Sequence, residues 1–239
     1  MSTTNGVQLA FSGPMNLETS LSLAWVNDAM RNLKDEIRCA SQTHARVMLT
    51  GESGVGKRFA ADMIHQLSPR WRAPFVVVNG TDVVETAPSR AGSDTMSRFQ
   101  EGLLRTANNG TLLIQEIENI SAPAQTQLLR FIDNTTTQGH NVRLMTATSV
   151  SLHERVHAGE FRDDVFYRLN LIHLVIPPLR ERPEDIPMMF HYYLSLHACT
   201  DASQLSTAAR QRVVEYPWPG NVRELNGLRR QRRPNAGHW

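Results

Sequence analysis

The run Gly51-Glu52-Ser53-Gly54-Val55-Gly56-Lys57 constrains this chain more than any other stretch. A Gly-x4-Gly-Lys run lets backbone amides close around a phosphate, and it is informative only between a buried strand and a helix. Both flanks have that character. Arg46-Val47-Met48-Leu49-Thr50 reads as a buried strand, while Phe59, Met63, Ile64 and Leu67 recur at intervals of three and four, as one helix face does. Lys34 and Lys57 are the only lysines among 25 basic residues. One of the two thus stands where a compact ammonium must reach the β- and γ-phosphates, a place a guanidinium would overfill. Arg58 occupies the position where most such loops carry Ser or Thr to ligate magnesium, so a metal must lean on other groups.

With 239 residues, 41% of them hydrophobic, the chain can build one sizeable α/β core and a smaller appended domain. A net charge of +2 makes no overall electrostatic case for nucleic acid. The pair Cys39 and Cys199 gives no disulfide framework, and no stretch is apolar enough for a membrane span or signal peptide. A reducing cytoplasm is the expected location, with no membrane partner. His191, His197 and Cys199 lack helical i, i+4 spacing, so packing is expected of them in preference to metal binding.

Residues 1–20 are rich in Ser, Thr, Gly and Asn and read as a flexible lead-in. A helix is expected from Trp25 through Met30 to Leu33 and Ile37. After the glycine loop, strands are expected at Pro74–Asn79, Thr111–Ile114, Val142–Thr148 and Leu171–Ile176, with helical patterns between them. That alternation predicts an α/β fold with a parallel sheet covered by helices on both faces. Pro177-Pro178 closes the sheet region, and helices at Glu184–Ala198 and Ser206–Glu215 predict a small α-helical domain over 178–239, after an α/β domain over 21–177.

Gly110-Thr111-Leu112-Leu113-Ile114-Gln115-Glu116-Ile117 has the form of a second phosphate-site strand, apolar until it ends in two acids. Here the first acid is an amide. At such a strand end the first carboxylate holds magnesium and the second polarises water. Gln115 therefore marks the weak metal position, and Glu116 remains available as the base. An ordinary polar pair at the edge of a sheet is the plainer alternative.

Several separated motifs together resemble the AAA+ domain of the bacterial enhancer-binding proteins, the sigma-54-dependent transcription activators. They are GESGVGK at 51–57, IHQLSPR at 64–70, PFVVVN at 74–79, GTLLIQEI at 110–117, FRDDVFYRLN at 161–170, PPLRERPEDIP at 177–187 and WPGNVREL at 218–225. The resemblance implies an AAA+ P-loop sheet with a helical lid, and ATP and Mg2+ as cofactors. It implies that the loop from Gly51, Glu52, Ser53, Gly54, Val55 and Gly56 to Lys57 and Arg58 holds the phosphates. Asn79 would be the switch residue pairing with the catalytic Glu116, and Thr148 the first sensor, although its usual Asn neighbour is here Ser149. Arg162 and Arg168 match arginine fingers offered to a neighbouring subunit, which implies self-association into a ring, and Arg223 matches the second sensor. For each arginine a surface ion pair is the ordinary alternative, and for Asn79 a capping role is.

Two departures from the resemblance shape the expected partners. The segment from Gly80 to Asp94 has no Phe between small residues to make the family's sigma-factor contact, so direct contact with sigma-54 is not expected. Only 14 residues follow Leu225, too few for a DNA-reading helix-turn-helix, so sequence-specific DNA binding by this chain alone is not expected. The cluster Arg229, Arg230, Arg232 and Arg233 reads as a solvated charge run. The expectation is an ATP-binding regulatory module, possible as an ATPase weakened by Gln115. Its rival is a catalytically weak interaction protein that acts through a full-length enhancer-binding relative.

Overall fold

The computed structural model describes residues 3–4, 7–9, 25–85, 93–135, 140–195 and 206–227. His197 and Cys199, residues 86–92 of the segment without the Phe contact, and the basic cluster from Arg229 to Arg233 lie outside them. The described chain divides into a larger unit, which includes Asp35–Gly51 and Lys57–Val175, and a smaller one, which includes Glu52–Gly56 and the chain beyond Val175.

The larger unit is built on a seven-stranded sheet. Its strands are β1 (Thr3–Thr4), β2 (Val7–Leu9), β3 (Val47–Thr50), β4 (Phe75–Asn79), β5 (Thr111–Gln115), β6 (Arg143–Thr148) and β7 (Ile172–Val175), in the spatial order β1-β2-β4-β5-β6-β3-β7. The five strands from β4 to β7 in that order are parallel, as the alternation of apolar runs and helical patterns predicts. Within the stretch read as a lead-in, β1 and β2 form an antiparallel hairpin, and β2 adds to β4 with Gln8 opposite Val77. Val7, Gln8 and Leu9 alternate apolar with polar, which suits a sheet edge.

The helices of this unit follow from their apolar spacing. They are α1 (Asp28–Ser41), whose first residues belong to the smaller unit, α2 (Lys57–Gln66), α3 (Gly80–Glu85), α4 (Ser93–Thr106), α5 (Ala122–Asn134), α6 (Leu152–His157) and α7 (Asp163–Leu169). The first starts at Asp28, later than the apolar pattern from Trp25 suggests. There the Asn27 side chain accepts from the Ala29 amide at 3.0 Å and so caps the first turn. On α2 the buried residues are Ala60, Ala61, Met63, Ile64 and His65. Phe59 and Leu67, read from the sequence as part of its apolar face, are only half-buried. In the core, Leu112 and Ile114 of β5 pack with Leu128, Phe131 and Ile132 of α5, each within 1% of full burial. Each such side chain contributes about 2 kcal/mol over leaving it in water.

The smaller unit has a core of its own. Leu179, Ile186, Met189, Trp218 and Leu225 come together from α8 (Ile186–Ser195), α10 (Asn221–Gly227) and the turns before them, while α9 (Thr207–Glu215) adds Val213. Ser206 caps α9 by accepting from the Ala209 amide at 3.2 Å. Trp218 ties the helices together, its indole N–H donating to the Val213 carbonyl at 2.9 Å.

Candidate nucleotide site

In the larger unit, the candidate residues Lys57, Gln115, Glu116 and Thr148 lie at or next to the carboxyl ends of β3, β5 and β6. Open parallel sheets bind ligands at that edge. The loop leaves β3 at Gly51 and rejoins this unit at Lys57, the first residue of α2. Gly51, Gly54 and Gly56 have φ values of 156°, 82° and 111°. Gly54 and Gly56 thus lie in the left-handed region that favours glycine. A side chain on Gly56 would meet nothing within 4 Å, so there it is the backbone conformation and not crowding that favours glycine. The Lys57 ammonium donates to the Gly51 carbonyl at 2.6 Å and to the Ser149 hydroxyl at 3.0 Å, and so turns back to the carboxyl ends of β3 and β6. Arg58 is exposed on the first turn of α2.

Gln115 ends β5, half-buried and in register with the exposed Asn79 of β4. Glu116 follows with φ 53° and ψ 43°, a left-handed conformation in which a residue other than glycine is strained. The hydrogen bond to its carboxylate comes from the Asn119 amide at 3.4 Å. Asn119 is thus a neighbour of this carboxylate besides the Asn79 that the resemblance names. Thr148 is fully buried, and its hydroxyl closes a turn with Val150, donating to that carbonyl at 3.1 Å and accepting from that amide at 3.2 Å. Its carbonyl accepts from the Gly51 amide at 3.3 Å, which anchors the start of the loop.

Arg162 precedes α7 and Arg168 lies in its last turn, while Val165, Phe166 and Leu169 form its buried face. That packing leaves both guanidinium groups exposed. Arg162 grips Asp164 through two hydrogen bonds at 3.0 and 2.8 Å and reaches the Thr126 hydroxyl at 3.2 Å, whereas Arg168 pairs with Asp133. The guanidinium beside Asp164 holds that carboxyl below the usual carboxylate range.

Within the smaller unit, Glu52, Ser53, Gly54 and Val55 are held by residues of the chain beyond Val175. Arg180 binds the Glu52 carboxylate with two hydrogen bonds at 2.6 and 2.8 Å. Asn221 donates at 3.1 Å both to that carboxylate and to the Ser53 carbonyl. Arg223 donates to the Ser53 hydroxyl at 2.9 Å, and its amide to the Gly54 carbonyl at 3.2 Å. Arg182, almost fully buried, donates to the Val55 carbonyl at 3.0 Å. A side chain on Gly54 would come within 2.3 Å of the Gly220 carbonyl oxygen, which explains a glycine there.

The Arg180 and Asn221 hydrogen bonds hold the Glu52 carboxyl down to about 2. A carboxyl lowered on folding stabilises the native state above its unfolded value and loses that contribution as pH falls through the folded one. The window for Glu52 thus runs from about pH 4.5 down to about 2. Solvent screens this exposed pair, so the effect is at most about 1 kcal/mol. In thermal melts, the difference between the wild type and Glu52→Gln should be largest near pH 6 and shrink toward pH 3. A difference that stays constant with pH would refute the assignment.

Residues 23–175 match the model of the sigma-54 interaction domain. The chain belongs to that family. Residues 180–231 match the AAA+ ATPase lid domain. Among related members, the C4-dicarboxylate transport transcriptional regulatory protein DctD of Pseudomonas aeruginosa is 35% identical over 82% of this chain and 46% of its own length. The Nif-specific regulatory protein of Klebsiella pneumoniae is 38% identical over 82% of this chain and 41% of its own. The chain thus spans about half the length of these relatives. Crystal structures of NtrX from Brucella abortus, one in complex with ADP and one with ATP, align with a TM-score of 0.71 at 26% identity, over 89% of this chain and 52% and 54% of theirs. The sigma-54 interaction domain match covers the parallel strands and the glycine loop, and the lid match covers the helices beyond Arg180.

Sequence reasoning missed three kinds of residue. Asn119 carried no signal, because an Asn three residues after an acid is common. The Arg180, Asn221 and Glu52 triad spans more than a hundred residues of chain. Glu118, buried beside Ser149, reads from the sequence as a surface acid. The described residues contain no group of three or more His, Cys, Asp or Glu that could hold a metal ion, and no helix long and apolar enough to cross a membrane.

Proposed function

We propose that this chain is the ATP-binding module of a sigma-54-type transcription regulator, that it assembles into a ring, and that it hydrolyses ATP slowly. The observation that supports this reading is the glycine run that leads from β3 into α2, with the Lys57 ammonium held by the Gly51 carbonyl and the Ser149 hydroxyl. A helix start beside an ammonium suits a triphosphate. The NtrX structures carry ADP and ATP, and that chemistry transfers to this loop. In this reading Lys57 and the amides of Gly54 and Gly56 hold the phosphates, and Glu52, Ser53, Val55 and Arg223 set the loop's shape. Thr148 fixes the loop's start, and Glu116, tied to Asn119, orients the attacking water. Asn79 reports the nucleotide from the neighbouring strand end. A cytoplasmic location belongs to the same reading.

Magnesium accompanies ATP and neutralises phosphate charge. The residues fit it sparingly. Glu116 is the one carboxylate at the end of β5, Gln115 brings an amide oxygen without charge, and Arg58 brings a cation. Such a cation would depend mostly on phosphate oxygens and water, as magnesium often does. Titration calorimetry with ATP in magnesium buffer tests the proposal, and an absence of saturable binding would overturn it.

Slow turnover follows from Gln115. Restoring the acid with Gln115→Asp should raise the turnover number about tenfold, or about 1.4 kcal/mol of barrier, and lower the magnesium concentration needed for half-maximal rate. If both stay unchanged in a folded protein, the missing charge does not limit the site.

A second reading, in which the chain regulates by nucleotide-dependent association with a full-length relative, has its own support. Gln115 lacks the charge, and both candidate fingers are paired within their own chain. Measurable turnover that depends on protein concentration separates the first reading from this one. In either case, contact with sigma-54 itself is not part of the proposal, because the segment from Gly80 to Asp94 lacks an aromatic tip.

A further inference from the structure

Glu118 is the acid that neither the loop nor the strand end has absorbed. It lies in the 3-10 turn Ile117–Asn119 and is 8% exposed. Burying a carboxylate is costly unless its oxygens are paired. Here Oε1 accepts from the Ser149 amide at 2.8 Å, and Oε2 is buried with no hydrogen-bond partner. The residue's own carbonyl accepts from Arg155 at 2.9 Å, which fixes the backbone from which the carboxylate extends.

Ser149 connects this acid to the loop. Its amide is held by Glu118, and its hydroxyl accepts from the Lys57 ammonium. Ser149 is exposed, in the turn between the buried end of β6 and Val150. The buried carboxylate adds a hold on its amide. Ser149, which the sequence marks as unusual, thus meets a buried acid.

We propose that Glu118 is a positioning residue: by holding the Ser149 amide it sets the Ser149 hydroxyl, and through it the Lys57 ammonium, at the height where Lys57 meets the β- and γ-phosphates. The negative charge absent at Gln115 is present one turn later, buried, and coupled to Lys57 through a single serine. This inference rests on ATP being the ligand of the loop. It assigns to Glu118 no contact with the nucleotide.

The role makes a specific demand on affinity. Lys57 reads the outer phosphates and has no part in binding AMP, so losing its anchor should weaken ATP and leave AMP unchanged. A merely destabilised loop would weaken both. Dissociation constants for ATP and AMP would be measured by competition with a fluorescent nucleotide for the wild type, Glu118→Ala, Glu118→Gln, Ser149→Ala and the double variant Glu118→Ala/Ser149→Ala, with Lys57→Ala as reference. Hydrogen bonds to charged groups contribute enough for about a tenfold change. Glu118→Ala and Ser149→Ala should each lose about tenfold in ATP affinity. The double variant should be no worse than either, because both cut one chain of contacts. Glu118→Gln, which keeps an acceptor for the amide, should stay within about twofold of the wild type. If Glu118→Ala fails to fold, Glu118→Asp takes its place, since it keeps the charge but is one methylene too short to hold the amide, and the same tenfold loss is expected. Losses that multiply in the double variant, or that fall equally on ATP and AMP, overturn the proposal. So does an ATP affinity insensitive to Glu118 in a protein where Lys57→Ala abolishes binding. Failure of the wild type to bind ATP would instead refute the nucleotide reading itself.

Discussion

Lys57→Ala should weaken ATP binding at least about a hundredfold while the chain keeps its fold. The ammonium stands at the start of α2, where it donates to the Gly51 carbonyl and the Ser149 hydroxyl. On binding, it would exchange those neutral acceptors for phosphate oxygens. Charge-assisted hydrogen bonds of that kind are worth about 1.5–3 kcal/mol each, and two of them amount to a factor of a hundred or more. Stability should change little, because Lys57 is half-exposed and the helix beneath it is secured by Ala60, Ala61, Met63 and Ile64. Titration calorimetry in magnesium buffer, with a thermal melt of each protein, is the measurement. Equal affinity in the two proteins would mean that the loop is not the phosphate site.

The parallel sheet was legible because buried strands are short apolar runs bounded by polar residues. Val76, Val77 and Val78, or Leu112, Leu113 and Ile114, can hardly be anything else between helical patterns. The hairpin of β1 and β2 escaped, since strands of two and three residues are shorter than the window in which a period of two becomes visible. Charge misled in the opposite direction. Arg143 is 2% exposed and donates to the Ala40 carbonyl at 2.6 Å, and His65, also buried, stacks on Phe75 and bonds the Thr111 hydroxyl. Burial brings Arg143 down to about 10 and His65 below the usual histidine value. A surface ion pair, the ordinary fate of an arginine in a sequence, describes neither this residue nor Arg182.

For the candidate site, the motif identified the loop and the strand end but not the contacts that tune them. Lys57, Gln115 and Glu116 lie next to apolar runs that fix their height on the sheet. The groups that touch them, Ser149, Glu118 and Asn119, are placed by turns whose geometry depends on distant packing. Glu116 illustrates the limit. No sequence pattern announces a left-handed glutamate, yet that conformation aims the carboxylate toward Asn119 instead of along the strand.

Arg168→Ala should leave ATP affinity within about twofold and reduce turnover about a thousandfold. Arginines supplied to a neighbouring active site contribute by balancing charge in the transition state, and their removal has effects of that size. The side chain is exposed because Val165, Phe166 and Leu169 take the inner face of α7, and it pairs with Asp133. An exposed pair of this kind is worth at most about 1 kcal/mol. Releasing Arg168 toward a second subunit is therefore a small step, smaller than the stabilisation a desolvated phosphate would return. In a ring, each active site combines the loop of one subunit with the arginine of the next. Mixing Arg168→Ala with Lys57→Ala should then restore part of the activity, because the first protein keeps its loop and the second keeps its arginine. The expected recovery reaches about a quarter of the sites at equal mixing, by random pairing around the ring. Wild-type activity per subunit should also rise with protein concentration as assembly proceeds. Steady-state rates across mixing ratios, with mixed assembly verified by cross-linking, decide the matter. Inactive mixtures in verified mixed assemblies would mean that Arg168 serves only its own chain, through Asp133 and the packing of α7.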